Sequence, residues 1–166
     1  MDTDCIFCKH AKNKNIKIWE NDLFFSIFDP FPVTPGHSTI IPKRHVVDIL
    51  GLTDNEWVVL GKVIKEIIHL IERSDLKKIY TKMIEKAESD ISKWFLNKAI
   101  NHPRINTKPD AYNHGINDGR AAGRTFDHLH WHIIPRFSGD MIDPRGGVRY
   151  VIPDMGNYKI QRNEKK

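Results

Sequence analysis

Hydrophobic and polar positions divide the chain into short extended runs followed by long helical stripes. Ile16 and Ile18, then Leu23 to Phe28, read as two strands with Asn21-Asp22 turning between them. Asp29 to Gly36 holds three prolines in eight residues, which excludes both a helix and a central strand and predicts a stiff surface loop. His37 to Ile41 resumes extended structure and stops at Pro42. Thr53-Asp-Asn-Glu56 has the form of a capping box, and Trp57, Leu60, Ile64, Ile67, Ile68 and Ile71 follow at helical spacing. A helix over about 54–72 is predicted. Leu76, Ile79, Tyr80, Met83, Ile84, Ala87, Ile91, Trp94 and Phe95 keep the same period, with a break near Ser89-Asp90, and read as a packing stripe. Asn101 to Pro109 returns to loop, and Ala111 to Ile116 reads as a strand.

Composition narrows the class of molecule. A length of 166 residues suits one domain, and 40% hydrophobic residues with 16 aromatics are enough for a real core. Of the +5 formal charge, Lys159, Arg162, Lys165 and Lys166 against Glu164 put +3 in the last eight residues, so residues 1–158 carry only +2. That describes a basic flexible tail at 159–166 rather than a basic face, and it argues against a nucleic-acid partner. No apolar run approaches the ~20 residues that span a bilayer, and the acids and cysteine near the start are unlike a secretory signal; no membrane association and a cytoplasmic location are expected. Cys5 and Cys8 stand too close for a loop-closing disulfide and read as either a metal clip or two reduced thiols. A thioredoxin-like role is disfavoured because no helical pattern starts at Cys8.

The chemistry concentrates at Asp127 to Arg136. Read as a strand, alternation puts His128, His130 and His132 on one face and Leu129, Trp131 and Ile133 on the other. Packing alone does not account for three imidazoles in a row, since aliphatic residues fill the same space without polar groups to satisfy. Isolated histidines such as His10, His69 and His102 read as ordinary packing or surface residues. The row can hold a metal or supply a histidine nucleophile positioned through its other ring nitrogen. The glycine-bearing stretch Asn117 to Thr125 favours the nucleophile, because small residues let backbone amides approach an anion. Arg136, Arg145 and Arg149, with Gly146-Gly147, add cationic forks suited to phosphate, although Arg145 to Arg149 reads equally well as a turn with solvated arginines.

With CIFC near the N-terminus, DPFPVTPGH, IIPKRH, GINDGRAAGR, HLHWHIIPR and DPRGGVRYVIP in that order over about residues 4–153, the sequence resembles the histidine triad (HIT) nucleotide hydrolases and transferases, and within them the bacterial diadenosine polyphosphate hydrolase-like branch. The resemblance implies an α+β fold, an antiparallel sheet bearing the triad on a late strand with one long helix, in a single domain over 1–158; the segment at about 73–104 departs from the family pattern and reads as a helical insertion. It implies that His130 is the nucleophile, attacking the α-phosphorus to form a covalent nucleotidyl-histidine that water hydrolyses. His128 and His132 then orient His130 and contact phosphate, with His37 as the fourth histidine beside them. Asp29 corresponds to the ribose ligand, Asn117 to a phosphate or leaving-group contact, and Phe7 and Ile27 to walls of a purine pocket. Family members with the N-terminal cysteine pair bind structural zinc, here implied for Cys5, Cys8, His45 and His128; no organic cofactor is implied. The substrate is expected to be a dinucleoside polyphosphate or related nucleoside phosphoanhydride or phosphoramidate, and the assembly a homodimer. Alternatives are a catalytically silent nucleotide sensor, a zinc hydrolase using the three histidines directly, and an aprataxin-like deadenylase, which the near-neutral body disfavours. Arg124 stands where the family usually has Gln. It either faces the substrate and favours phosphate-rich leaving groups, or pairs with Asp118 or Asp127 at the surface, where a pair is worth only ~0–1 kcal/mol.

Overall fold

In the computed structural model, which describes residues 4–156, β2 (Phe24–Phe28) and β3 (Ser38–Pro42) are buried along their whole length. Phe24, Phe28 and Ile40 pack under helices, while Phe25, Ile27 and Ile41 pack with Phe7 on the other side. Burial from both faces is why FFSIF shows no polar alternation. These strands lie inside a five-stranded antiparallel sheet of order β1-β2-β3-β5-β4, completed by β1 (Trp19–Glu20), β4 (Ala111–Gly115) and β5 (Trp131–Arg136). The first strand forms one position later than Ile16 and Ile18 suggested, although the Ile18 amide still donates to the Ser26 carbonyl at 2.9 Å. The Asn21 side chain closes the turn by accepting from the Leu23 and Phe24 amides.

The long helix α2 (Asp54–Arg73) starts where the capping box predicts, with Thr53 accepting from the Glu56 amide and Glu56 accepting from Thr53. Leu60, Val63, Ile67 and Ile71 give it a buried stripe over the sheet. The second stripe is two helices, α3 (Leu76–Lys86) and α4 (Asp90–Ile100), broken before Ser89, whose hydroxyl caps α4. Their buried residues Leu76, Tyr80, Leu96 and Ala99 join the same core as α2, so the insertion extends that core.

Two local features depart from the sequence reading. A one-and-a-half-turn helix, α1 (Ile6–His10), carries Cys8, where no helix was expected; five residues are too few to show a period. His128 and His130 also precede β5, which begins at Trp131, so the triad is only partly strand. Leu129 is nevertheless turned inward against Val46 and Leu52, opposite its histidine neighbours, and its amide donates to the Val46 carbonyl at 2.6 Å. A short helix, α5 (Pro153–Gly156), closes the described chain, and the basic stretch 159–166 lies outside the described residues. No helix among the described residues is long and apolar enough to cross a membrane.

Candidate active site

Sheet register brings the histidines together. Thr39 of β3 pairs with His132 of β5, and the Asp29 amide donates to the His37 carbonyl at 2.9 Å, so the ends of the proline-rich loop meet beside the triad. Within that loop Gly36 has φ +87°, and a Cβ there would lie 2.7 Å from Ile71 Cγ2, so only glycine fits both the backbone and the space.

Carbonyl oxygens accept and never donate, which assigns the ring protons. His130 lies 2.9 Å from the His128 carbonyl through Nδ1, so Nδ1 carries the hydrogen and Nε2 holds the lone pair. No hydrogen bond from the described residues engages that Nε2. His128 donates from Nε2 to the Pro42 carbonyl at 2.9 Å, leaving its Nδ1 lone pair 3.2 Å from Cys5 Sγ and 3.7 Å from Cys8 Sγ. His37 Nδ1 accepts from the Val33 amide at 3.3 Å, so His37 Nε2–H donates to His132 Nδ1 at 3.0 Å. His132 then presents Nε2–H outward.

Burial favours the neutral form of His128, His132 and His37. Burial pushes His128 and His132 down to about 4 from an ordinary 6.5, with neighbouring imidazoles adding to the effect. Burial also lowers His37, and the Asp29 carboxylate 3.7 Å away opposes the shift. Phe7 packs its ring 5.1 Å from that of His130 and 5.7 Å from that of His128, and it shares an apolar cluster with Ile27. Asp29 Oδ1 accepts from the Phe31 amide at 2.8 Å.

The loop before the triad is arranged less directly. Asn117 is exposed and makes no hydrogen bond to the four histidines among the described residues. Arg124, only 14% exposed at its side chain, donates from Nη1 to the Val47 carbonyl at 3.0 Å and lies 3.2 Å from Asp127 and 3.9 Å from Asp118. Its Nη2 has no hydrogen-bond partner among the described residues. The other arginines serve their own neighbourhood: Arg136 binds Asp140 and Asn113, Arg145 binds Asp143, and Arg149 reaches the Met155 and Gly156 carbonyls.

Cys5, Cys8, His45 and His128 bring their donor atoms within 4.8 Å of one another, with His45 Nδ1 3.4 Å from Cys8 Sγ. Two thiols and two imidazole nitrogens, one of them fixed in tautomer by the Pro42 carbonyl, fit a closed tetrahedral metal site. Asp29, His37 and His132 form a separate group, so the triad nitrogens do not converge on one metal.

The insertion contributes contacts that sequence reasoning missed. The Gly36 amide donates to the buried Tyr80 hydroxyl at 2.7 Å, and the Ser92 hydroxyl donates to the Pro30 carbonyl at 2.9 Å. Tyr80 lies in a stripe that reads only as packing, and Ser92 stands between two members of it, Ile91 and Trp94, with nothing in the sequence to name its partner.

The HIT domain profile matches residues 10–139. A HIT-like protein of Borreliella burgdorferi is 31% identical over 82% of this chain and 78% of its own length. Adenylylsulfatase HINT3 of Arabidopsis thaliana is 28% identical over 86% of this chain and 57% of its own length. Among solved structures, a zinc-bound histidine triad family protein from Mycobacterium smegmatis is 26% identical with a TM-score of 0.52, covering 84% of this chain and 80% of that one. The profile spans most of the chain, including the whole triad, and the fold agrees with it: the protein belongs to the HIT domain family.

Proposed function

We propose that the protein is a nucleotidyl hydrolase acting at the α-phosphorus of dinucleoside polyphosphates or related nucleoside phosphoanhydrides and phosphoramidates. The observation that carries this is the tautomer of His130: with Nδ1–H committed to the His128 carbonyl, Nε2 offers its lone pair from a rigid ring. Attack by Nε2 forms a P–N bond and breaks the bond to the leaving group, giving a nucleotidyl-histidine. Water then attacks the same phosphorus and frees His130. His132 Nε2–H, oriented through the His37 contact, donates to a phosphate oxygen as charge builds there. Asp29 accepts from ribose hydroxyls, Phe7 and Ile27 flank the base, and Asn117 and Arg124 Nη2 lie on the leaving-group side. Zinc held by Cys5, Cys8, His45 and His128 would act structurally, tying α1 to the chain that enters the triad. A homodimer belongs to the same reading, and β4, with its outer edge unpaired among the described residues, is suited to it.

The test is a panel of adenosine and guanosine polyphosphates and phosphoramidates with products resolved by chromatography. Wild type should turn over at least one, and His130→Asn should lose turnover while still binding nucleotide. Near wild-type kcat in His130→Asn would sink the mechanism, and binding without turnover by wild type would make the protein a sensor.

A further inference from the structure

Beside Ile27 and Phe28 at the end of β2, a cavity of about 370 Å³ is lined by the inserted α3 and α4, within the roughly 300–1,000 Å³ typical of small-molecule pockets. Ile16 and Ile27, from the Phe7 side of the sheet, and Met83 and Leu96, from the helical side, give it an apolar lining. Two routes join it to the triad. His10 lines the cavity, its ring 6.0 Å from that of Phe7, which packs on His130. Pro30 also lines it, directly follows Asp29, and is pinned to α4 by Ser92.

The polar groups have an uneven character. His10 Nδ1 is buried without a hydrogen-bond partner. Lys82 and Lys86, one turn apart on α3, line the cavity, and no ion pair or hydrogen bond among the described residues engages either ammonium. Lys17, by contrast, is committed to Glu20 at 2.7 Å. No carboxylate is among the lining residues.

We propose that this cavity is the nucleobase subsite and that Lys82 and Lys86 give it a preference for 6-oxopurine over 6-aminopurine nucleotides, a proposal that rests on the nucleotidyl-hydrolase reading. An ammonium only donates. A 6-oxopurine presents acceptors at both O6 and N7, whereas a 6-aminopurine presents N7 beside a donor amine. A flat ring seated against Phe7 and Ile27 extends into the cavity toward Met83 and turns that edge to the lysines. The inserted helix therefore chooses the base, while the triad acts on the phosphorus.

The experiment measures binding of AMP, IMP and GMP by calorimetry to the full-length His130→Asn protein, so that turnover does not enter. IMP and GMP should bind about tenfold more tightly than AMP, and adding Lys82→Met with Lys86→Met should bring the three together. All three nucleotides carry the same phosphate, so a general charge effect cancels in the ratio. Met83→Trp, which fills the cavity, should weaken all three; its melting curve shows whether it folds. Equal binding of AMP and IMP, or a preference that survives loss of both lysines, overturns the base choice. Unchanged binding in a folded Met83→Trp protein overturns the location. Binding with the expected preference but no turnover of any substrate by wild type leaves the subsite standing and removes the chemistry.

Discussion

At the scale of single residues, His132 makes the site measurable through pH. Burial holds it near 4 where an unfolded histidine titrates at 6.5, so between those values the unfolded chain binds more protons. Its contribution to stability is complete above pH 6.5 and drains away as pH falls toward 4. The thermal midpoint should drop across that window, and His132→Gln should flatten the drop; parallel slopes would show that His132 is not held neutral. Arg124 is the other informative residue, because its Nη1 donates to the Val47 carbonyl while its Nε, 3.2 Å from Asp127, makes no hydrogen bond and Nη2 has no hydrogen-bond partner among the described residues. Arg124→Gln should lower kcat/KM for a dinucleoside polyphosphate more than for an adenosine phosphoramidate at low salt. The difference should fade at high salt, since screening shortens to ~8 Å at physiological ionic strength. A ratio unmoved by the substitution would assign Arg124 to holding its loop alone. The triad was legible in sequence because three polar residues at alternate positions have no packing explanation. Their proton positions were not, since they depend on the His128 and Pro42 carbonyls and the Val33 amide, which only folding brings to the rings.

At the scale of elements, α2 shows what local sequence can specify. A reciprocal cap and four inward residues at helical spacing are both written within the segment, and the observed helix follows them. The insertion shows the converse. Its period announced helices and Ser89 announced the break, but nothing in residues 73–104 says that Tyr80 meets Gly36 or that Ser92 meets Pro30. Those are long-range pairings, carried in one case by a tyrosine that reads as core and in the other by a serine that reads as a surface position. Tyr80→Phe should therefore destabilise the fold by about 1–3 kcal/mol, since it strands a buried amide donor. Denaturant unfolding checks this, and a loss near zero would mean that the Gly36 amide finds another acceptor. The short α1 escaped notice for the opposite reason: five residues are too few for periodicity, and its place is set by Phe7 packing under Phe25 and Ile27.

Across the whole molecule, distant segments converge at one end of the sheet. Cys5 and Cys8 come from the start of the chain, His45 from the turn after β3, and His128 from the approach to β5. Protein purified without a histidine tag should carry about one zinc per chain. Cys5→Ser with Cys8→Ser should lower the melting temperature more than kcat, because on the proposed reading the pair would hold zinc structurally and other residues would contact the substrate. A metal-free preparation of full stability would assign the thiols to packing. The proline-rich loop is fastened from several sides: α3 takes the Gly36 amide, α4 takes the Pro30 carbonyl, and the Thr34 hydroxyl donates to the Pro135 carbonyl at 2.6 Å. On the loop's side, two of these ties use main-chain atoms, which every residue type carries apart from the proline nitrogen. The exposed side chain of Val33 is thereby released from holding the loop in place, whereas the Phe31 ring still packs edge-on 5.9 Å from that of Phe95 on α4. Mutation can sample new contacts at Val33 while the path of the chain from Asp29 to His37 stays as it is, so that point of the loop's outer surface is free to diverge next to a site whose geometry does not.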